Sequence, residues 1–320
     1  MTTLKVALTD TVFPSLEPAT KILDALGAAL VQAKSPMKDA ILEVARDADA
    51  VMVTYAKIDA EIIAGLDRCR VIGRFGIGVD NIDLAAATKA GIQVVFCPDY
   101  CLDEVSDHAL ALLIALVRKI PLGNTLAQSG RWEMKAMVPM RRLRGRTLGL
   151  VGFGKIPQRL VPKAQAFGLA VIAYDPYVPQ DVLDTLGVGR VDFDALLQHS
   201  DLISVHAPLT AETRHLFGAA TFKRMKPEAL IVNTARGPLI DEAALVAALD
   251  AGEISGAALD VIESEPSSPD SPLLGRDNVI LTPHAAFYSE EALLELQTKV
   301  AEDVVSVLKG EAPRYPANRL

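Results

Sequence analysis

Short apolar runs alternate with helical patterns along almost the whole chain. They cover residues 5–8, 50–54, 71–73 and 93–96, and then residues 147–151, 170–174, 202–205, 230–233, 256–260 and 279–281. Continuous apolar strands separated by helices are typical of parallel sheets that are covered on both faces. The pattern therefore predicts an α/β protein with two doubly wound parallel sheets, one in each of two domains.

Two helical patterns are long enough to predict with their ends. The first covers residues 103–120 and is stopped by Pro121 and Gly123. Its apolar residues cover more of the circumference than a surface helix needs, so we expect it to pack at a domain or subunit interface. The last helix covers about residues 290–309, with Ser289 as its N-cap and Gly310 at its end.

Composition narrows the class of protein. The chain has 320 residues, half of them apolar and 22% charged, which is typical of a globular protein of about two domains. No apolar run approaches the roughly 20 residues of a membrane span. Residues 1–20 contain Asp10, Pro14 and Glu17 where a signal peptide has an unbroken apolar stretch. We therefore expect a cytoplasmic protein with no membrane partner.

Charge and cysteine content argue against further classes. The net charge of -8 opposes the binding of a polyanion, and the basic cluster at residues 141–146 contains no aromatic residue for base stacking. We therefore expect no nucleic-acid partner. The three cysteines, Cys69, Cys97 and Cys101, are an odd number in a large chain without a secretion signal, so we expect no disulfide framework. No cluster has metal-ligand spacing, so we expect no metal.

A glycine-rich turn follows the apolar run at 147–151. Its sequence is Gly152-Phe153-Gly154-Lys155-Ile156-Pro157. The first glycine permits a tight turn, and the second lets the amides of Lys155 and Ile156 approach a pyrophosphate at a helix N-terminus. Asp175 follows about 20 residues later, where a carboxylate can bind the adenosine ribose and repel a 2′-phosphate. The motif predicts NAD in preference to NADP; the alternative is that Asp175 only caps a turn.

Pro157 departs from the dinucleotide-binding pattern, which has a third glycine at this position. Proline is tolerated in the first turn of a helix, because its missing N–H would be unpaired there. Pro162 lies further along the same helix and should kink it. We therefore expect altered or weaker docking of NAD, not its loss.

Three polar residues that follow later strands suggest hydride chemistry. Arg236 follows the run at 230–233, and Glu265 and His284 follow the last two runs. Open α/β sheets bind ligands at the carboxyl ends of their strands, so we expect these residues in one crevice. A guanidinium grips a carboxylate, and an imidazole beside a carboxylate is a usable acid near neutral pH. We predict that Arg236 binds a 2-oxo acid and that His284, oriented by Glu265, transfers a proton. A surface salt bridge is the alternative for Arg236.

Two other strand ends carry candidate residues. His206 follows the run at 202–205 and is expected to line the cofactor cleft, with proton donation as the alternative. A second glycine-rich turn covers residues 73–78, and the amides of Gly76, Ile77 and Gly78, backed by Arg74, predict a pocket for a substrate carboxylate. A plain tight turn is the alternative there. No chemistry is assigned to the three remaining histidines, His108, His199 and His215.

Together these motifs resemble the NAD-dependent D-2-hydroxyacid dehydrogenase family over nearly the whole chain. The matching segments are residues 78–83, 152–157, 175, 204–213, 233–237, 265–266 and 283–284. The resemblance implies two Rossmann-like domains with a cleft between them. Residues 1–101 and 285–320 would form the substrate-binding domain, and residues 102–284 would bind NAD. It also implies a homodimer built through the helix near residues 103–130.

The resemblance also implies the ligand contacts. NAD contacts fall on Gly152, Gly154, Lys155, Ile156, Asp175, His206, Ala207, Pro208, Thr213, Thr234, Ala235, Arg236, Asp260 and His284. Substrate contacts fall on Arg74, Gly76, Ile77, Gly78, Arg236 and Phe287.

Within the family, residues 174–177, 263–266 and 284–289 are most similar to the branch that contains the C-terminal-binding-protein corepressors, where a tryptophan commonly occupies the place of Phe287. Residues 53–57 lack the arginine that phosphoglycerate dehydrogenases use for the substrate phosphate, which disfavours phosphoglycerate. The expected activity is reversible NAD(H)-dependent reduction of a small 2-oxo acid, such as glyoxylate or hydroxypyruvate, to its 2-hydroxy acid. The rival hypothesis is an NAD(H)-sensing binding protein with little turnover.

Overall fold

The computed structural model describes residues 4–320, which form two compact units. Residues 4–100 and 288–320 make up the first unit, and residues 101–287 make up the second. The predicted division differs in that it assigned residues 101 and 285–287 to the first unit. Residues 1–3 of the predicted first domain lie outside the described residues.

The described chain contains twelve strands and twelve α-helices, and most strands are followed by a helix. The strands are β1 (Leu4–Leu8), β2 (Ala28–Gln32), β3 (Ala50–Val53), β4 (Val71–Arg74), β5 (Gln93–Val95), β6 (Thr147–Val151), β7 (Ala170–Tyr174), β8 (Gly189–Arg190), β9 (Leu202–Val205), β10 (Leu230–Asn233), β11 (Gly256–Leu259) and β12 (Val279–Leu281). The helices are α1 (Glu17–Ala25), α2 (Lys38–Ala45), α3 (Ala60–Ala64), α4 (Leu84–Lys89), α5 (Leu102–Val117), α6 (Ile120–Gln128), α7 (Lys155–Ala166), α8 (Gln180–Thr185), α9 (Phe193–His199), α10 (Ala219–Phe222), α11 (Glu242–Ala251) and α12 (Glu290–Lys309). Short 3-10 turns cover Met134–Met137 and Gly237–Leu239.

The first unit contains a five-stranded parallel sheet in the order β2-β1-β3-β4-β5. Helix α12 packs on β4 so closely that a β-carbon on Gly73 would lie 2.6 Å from the Val304 side chain. The ends of α12 are those predicted: the Ser289 hydroxyl accepts a hydrogen bond from Ala292 N at 2.9 Å, and Gly310 ends the helix with a left-handed φ of 82°.

The second unit contains a seven-stranded parallel sheet in the order β12-β11-β10-β9-β6-β7-β8. The strand order reverses between β6 and β9, and open α/β sheets bind ligands at such a switch point. Together the two sheets confirm the predicted α/β class with two doubly wound parallel sheets. Helix α5 lies across this second sheet, buries Leu112, Leu113 and Leu116, and contacts α7 and β10.

The hydrophobic pattern did not predict two of the strands, β2 and β8, and both are the outer strands of their sheets. In β2 only the first residue is buried, and β8 has just two residues, both exposed. Neither segment offers the continuous apolar run that a strand buried on both faces requires. Edge strands are therefore the ones that this pattern fails to detect.

The predicted long helix also ends earlier than expected. Helix α5 stops at Val117, because Lys119 takes a left-handed φ of 50° and α6 begins after it. Within residues 4–320, no single helix has the length and apolar character of a membrane span, although α5 and α6, bent by 60° at their junction, meet that test as a pair.

Candidate active site

Six neighbouring strands of the second sheet end side by side, so that their carboxyl ends form one row. Residue pairing places Tyr174, Val151, Val205, Asn233, Leu259 and Leu281 side by side in that order. The residues that directly follow them are Asp175, Gly152, His206, Thr234, Asp260 and Thr282. Five of these were predicted site residues, and the sixth begins the loop that carries His284. The sheet thus brings five of the residues predicted to contact NAD to the carboxyl ends of adjacent strands.

The glycine turn between β6 and α7 has the form needed to hold a phosphate. Gly152 has a left-handed φ of 88°, and a β-carbon there would lie 2.8 Å from the backbone of His206 and Ala207, so only glycine fits. Gly154 is the N-cap of α7, and no other atom lies within 4 Å of its β-carbon position. The amides of Lys155 and Ile156 occupy the first turn, where N–H groups have no intrahelical partner.

Both prolines of α7 are accommodated. Pro157 is buried in the first turn, as predicted, where its missing N–H removes no helical hydrogen bond. Pro162 lies inside the helix, which nevertheless runs from Lys155 to Ala166. The N-terminal end of α7, where pyrophosphate binding was predicted, is therefore formed in spite of the departure from the glycine pattern.

Asp175 makes the turn-capping contacts of the alternative interpretation and also joins the glycine turn. One carboxylate oxygen accepts hydrogen bonds from Tyr177 N at 2.8 Å and Val178 N at 3.1 Å, and the other accepts from Phe153 N at 2.7 Å. A carboxylate offers about four acceptor positions, so these three bonds leave room for a ribose hydroxyl. The predicted ribose contact stays a prediction.

The loop after β9 and the residue after β10 complete the lining of this edge. Thr213 fixes the loop, because its hydroxyl donates to Pro208 O at 2.7 Å and accepts from Thr210 N at 2.8 Å. Thr234 is buried, and its hydroxyl has no hydrogen-bond partner among residues 4–320. A buried polar atom without a partner is costly, so this hydroxyl fits a site that a polar ligand completes.

His206 is neutral near pH 7. Burial lowers its pKa to about 4, and its Nε2 atom lies 2.8 Å from the hydroxyl of Ser204. A histidine in this state cannot serve as the proton donor at neutral pH. This favours the predicted role as part of the cofactor lining over the alternative.

His284 and Glu265 form the predicted pair. His284 Nδ1 lies 2.7 Å from a carboxylate oxygen of Glu265, whose other oxygen accepts a hydrogen bond from Ile262 N at 3.2 Å. His284 has a left-handed φ of 52°, a conformation that a non-glycine residue keeps only when its surroundings impose it. The Phe287 ring stands nearly perpendicular to the imidazole, with ring centroids 6.2 Å apart.

Asp260 imposes that conformation. Its backbone carbonyl accepts from His284 N at 2.8 Å, and its carboxylate accepts from the Thr282 hydroxyl at 2.6 Å and from the amides of Ala285 and Ala286 at 2.9 Å. The Asp260 side chain is buried, so these bonds form at low solvent exposure. Asp260 therefore shapes the loop that presents His284, while its predicted NAD contact stays a prediction.

The Arg236 turn is held by Asn233. The Asn233 side-chain oxygen accepts from Ala235 N at 3.0 Å, and its amide nitrogen donates to Arg236 O at 2.8 Å. Arg236 Nη1 donates to Ala235 O at 2.7 Å. The next residue, Gly237, packs against the backbone of Ile262, so the turn lies directly on the loop that leads to Glu265. The structure thus brings Arg236, Glu265 and His284 onto adjoining loops.

The second glycine-rich turn lies in the first unit. Arg74 is buried at the end of β4, and its guanidinium folds over Gly76, where a β-carbon would lie 1.4 Å from Nη1. Gly76 has a φ of 143°, a backbone conformation that favours glycine whatever the space around it. Ile77 and Gly78 are half-buried. Both interpretations of the turn, carboxylate pocket and plain tight turn, are compatible with this geometry.

Two histidines for which the sequence predicts no chemistry, His108 and His215, lie close to site residues. His108, on α5, has its Nε2 atom 3.0 Å from the Thr282 hydroxyl and 3.6 Å from the Asp260 carboxylate. His215 has its Nε2 atom 2.6 Å from the carboxylate of Glu263. Each partner is distant in sequence, so no local motif could have identified these contacts. Across residues 4–320, no group of His, Cys, Asp and Glu side chains is arranged as a metal site.

A strand order that reverses at a glycine turn, with an open phosphate-binding helix end beside it, defines the second unit as a dinucleotide-binding domain. Residues 110–286 match the family model of the D-isomer specific 2-hydroxyacid dehydrogenase NAD-binding domain. The chain belongs to the D-isomer specific 2-hydroxyacid dehydrogenase family, and its second unit is the NAD-binding domain.

Individual relatives agree with this assignment. The chain is 44% identical to a D-3-phosphoglycerate dehydrogenase of Methanocaldococcus jannaschii over 98% of its own length, but it spans only 59% of the length of that relative. It is 40% identical to a glyoxylate reductase of Korarchaeum cryptofilum, with 89% of this chain and 87% of the relative covered. The solved structure of a glyoxylate reductase from Paecilomyes thermophila superposes with a TM-score of 0.88 at 31% identity, with 99% of each chain covered.

Proposed function

We propose that this protein is an NAD(H)-dependent reductase of small 2-oxo acids. The observation that carries the proposal is the hydrogen-bonded pair of His284 and Glu265, 2.7 Å apart, with Glu265 on the loop that packs against the Arg236 turn. An acid, a group that orients it and a carboxylate-binding cation are what carbonyl reduction requires of the protein. The family membership and the glyoxylate reductase relative support the same reaction class.

The proposed roles follow from the chemistry of each group. Because Nδ1 of His284 contacts Glu265, we assign proton transfer to the substrate oxygen to the other ring nitrogen, Nε2. Glu265 fixes the ring orientation and stabilises the charged imidazole. The Arg236 guanidinium binds the substrate carboxylate and draws electron density from the adjacent carbonyl oxygen. When bound, the reduced nicotinamide supplies the hydride.

The residues present fit NAD. Gly152 and Gly154 admit the pyrophosphate, the amides of Lys155 and Ile156 bind it, and the unpartnered hydroxyl of Thr234 is available to a polar group of the cofactor. The carboxylate of Asp175 favours a ribose with a free 2′-hydroxyl. We propose that the remaining predicted contacts, from residues 206–213 and 234–236, line the same edge.

We propose a substrate without a phosphate group. Asp10 lies just beyond β1, at the carboxyl ends of the strands of the first sheet, where the glycine turn at residues 73–78 also lies. Its carboxylate accepts hydrogen bonds from the amides of Thr54 at 3.1 Å and Tyr55 at 2.7 Å. These two amides lie in the segment without the phosphate-binding arginine, and a protein carboxylate already occupies them. A second anion there would be repelled. Arg74, Gly76, Ile77 and Gly78 are proposed to bind the substrate carboxylate.

The corepressor-like alternative rests on the similarity of three short segments, residues 174–177, 263–266 and 284–289. A redox sensor needs the NAD contacts but not a proton-transfer pair, whereas here His284 and Glu265 are in hydrogen-bond contact. We therefore keep the reductase as the proposed function. The sensor is the outcome that a failed activity screen would favour.

The first prediction is an activity profile. We expect NADH oxidation, followed at 340 nm, with glyoxylate or hydroxypyruvate, and a kcat/KM at least about tenfold lower with NADPH because of Asp175. Phosphohydroxypyruvate should be a poorer substrate than hydroxypyruvate because of Asp10. A protein that binds NADH tightly but reduces no member of a panel of short, branched and aryl 2-oxo acids would contradict the proposal.

We also propose a homodimer. Helix α6 and the segment after it expose large apolar side chains that a monomer would leave in water, namely Ile120, Trp132, Met134 and Val138. They directly follow α5, the helix that the family resemblance assigns to the subunit interface. A second copy of this chain is the occupant that fits both the exposed side chains and this expectation.

The second prediction tests this interface. Trp132, which is 91% exposed, should be a major contact, because tryptophan is enriched among residues that dominate binding energy. Trp132→Ala should weaken dimerisation about 30-fold or more, measured by sedimentation velocity over a concentration series. Tyr177→Ala is the matched control, since Tyr177 is 92% exposed in the same unit but lies outside the segment. A wild-type monomer, or equal effects of the two variants, would reject the proposal.

A further inference from the structure

We infer that His215 and Glu263 form a positioning pair that keeps the Arg236 turn and the Glu265 loop in register. Neither side chain is assigned to substrate or cofactor. The inference rests on the proposed reductase function, because its consequence is the relative placement of the carboxylate-binding arginine and the proton-transfer pair.

The first supporting observation is the contact between the two loops. Gly237 follows Arg236 directly, and a β-carbon on Gly237 would lie 1.8 Å from Ile262 O and 2.7 Å from Glu263 N. The loops therefore touch backbone to backbone. Ile262 also donates its amide to the Glu265 carboxylate at 3.2 Å. A shift of either loop must therefore move the other one or open this contact.

The second observation is that the backbone around His215 holds the Arg236 turn. His215 N donates to Pro238 O at 2.8 Å, and two residues later Phe217 N donates to Leu239 O at 3.0 Å. Phe217 O in turn accepts from Asp241 N at 3.0 Å. Residues 215–217 are thus hydrogen-bonded to residues 238–241, a few positions after Arg236.

The third observation is that the side chain of His215 reaches the other loop. Its Nε2 atom lies 2.6 Å from one carboxylate oxygen of Glu263, only two residues before Glu265. The other oxygen of Glu263 accepts from Glu242 N at 3.2 Å, and Glu263 N donates to the Glu242 carboxylate at 2.7 Å. Glu263 is therefore tied both to the start of α11 and to His215.

His215 also has an unusual backbone. Its φ of 53° lies in the left-handed region, which histidine and asparagine tolerate better than most residues and glycine tolerates best. A non-glycine residue kept in this conformation indicates that the surroundings determine it. The charged groups at the pair are Arg214, whose Nη2 lies 3.9 Å from the Glu263 carboxylate, and Glu242. One residue thus links the two loops, by its amide on one side and its imidazole on the other.

Substitutions at His215 can separate the effect of its side chain from the effect of its backbone conformation. His215→Gly removes the imidazole but suits the left-handed backbone, so it isolates the side-chain contact from backbone strain. We expect kcat/KM for the 2-oxo acid to fall about tenfold, with a higher KM and a lower kcat, because both the arginine and the proton donor lose alignment. The Kd for NADH, measured by fluorescence, should stay within about twofold. His215→Gln, which restores an N–H donor, should recover most of the loss.

A double-mutant cycle tests whether the pair acts as a unit. If it does, His215→Gly combined with Glu263→Ala should be no more impaired than the worse single variant. His199→Ala is the matched control, because His199 is an exposed histidine of the same unit at the end of α9. Kinetic constants at wild-type values in His215→Gly, even with a lower Tm, would overturn the inference.

Amide hydrogen exchange tests the positioning role of His215 without relying on the proposed reaction. In His215→Gly, the amides of residues 236–241 and 262–265 should exchange at least about fivefold faster than in the wild type, while those of β6 and α7 should not change. A wild type that reduces no 2-oxo acid would contradict the proposed function alone. Unchanged exchange at both loops would overturn the positioning role, whatever the activity.

Discussion

His284→Ala should lower kcat by about 100-fold or more, because it removes the group proposed to protonate the substrate oxygen. The Kd for NADH should change little, since the pyrophosphate-binding turn and Asp175 are formed by strands other than the one preceding His284. Stopped-flow single-turnover measurements with a saturating 2-oxo acid would separate the chemical step from product release. Turnover near the wild-type value would reject the assignment.

The loop that carries His284 should keep its conformation in this variant. Asp260 holds the loop through backbone amides and Thr282, and these contacts do not depend on the imidazole. His284→Ala should therefore fold normally, although alanine is less suited than glycine to a φ of 52°. Glu265→Gln tests the partner: the amide can still contact Nδ1 but cannot stabilise an imidazolium. We expect a smaller loss of kcat, about tenfold, with unchanged NADH binding.

Arg236→Gln should lower kcat/KM for the 2-oxo acid by about a thousandfold. Removing one partner of a charge-assisted, bidentate contact costs about 2–5 kcal/mol, which corresponds to a factor of about 30 to several thousand. Much of the loss should appear as a higher KM, because the guanidinium binds the carboxylate before reaction, and part as a lower kcat from its action on the carbonyl. Steady-state kinetics over a wide substrate range would measure both.

Arg236→Lys separates charge from geometry. Lysine keeps the positive charge but loses the planar fork, so it should recover only part of the activity. Arg224→Gln is the matched control, because Arg224 forms an exposed ion pair with Asp194, and such pairs contribute little. If Arg236→Lys were fully active, a point charge would suffice and the bidentate contact would be rejected. If Arg236→Gln were fully active, the arginine would have no role in substrate binding.

Much of the fold could be predicted from local patterns. Strands β6, β7, β9, β10 and β12 have the predicted boundaries, and α12 begins and ends at the predicted caps. These elements are specified by continuous apolar runs and by capping residues that act within a few positions of the chain. The edge strands β2 and β8 were missed because solvent covers part of them, so their sequences need not be apolar.

The candidate site likewise has features that local patterns predict and features that depend on tertiary contacts. The glycine turn, Asp175 and the residues at strand ends were predictable, because chemistry placed directly after a parallel strand falls at the ligand-binding edge. The roles of Asp260 and Thr234 were only partly predictable: sequence placed them near the cofactor, but not as the group that shapes the His284 loop or as a buried hydroxyl without a protein partner. The His215–Glu263 contact joins segments that no motif connects.

By itself, the sequence determined the buried strands, the last helix, the position of the glycine turn after β6 and the side chains that could transfer a proton or bind a carboxylate. Those properties depend on neighbours within one or two turns of the chain. The tertiary structure alone decided that six strand ends share one row, that Nδ1 of His284 is occupied by Glu265, and that the Arg236 turn lies on the Glu265 loop. These contacts depend on sheet register and on close packing between distant segments, which no local pattern encodes.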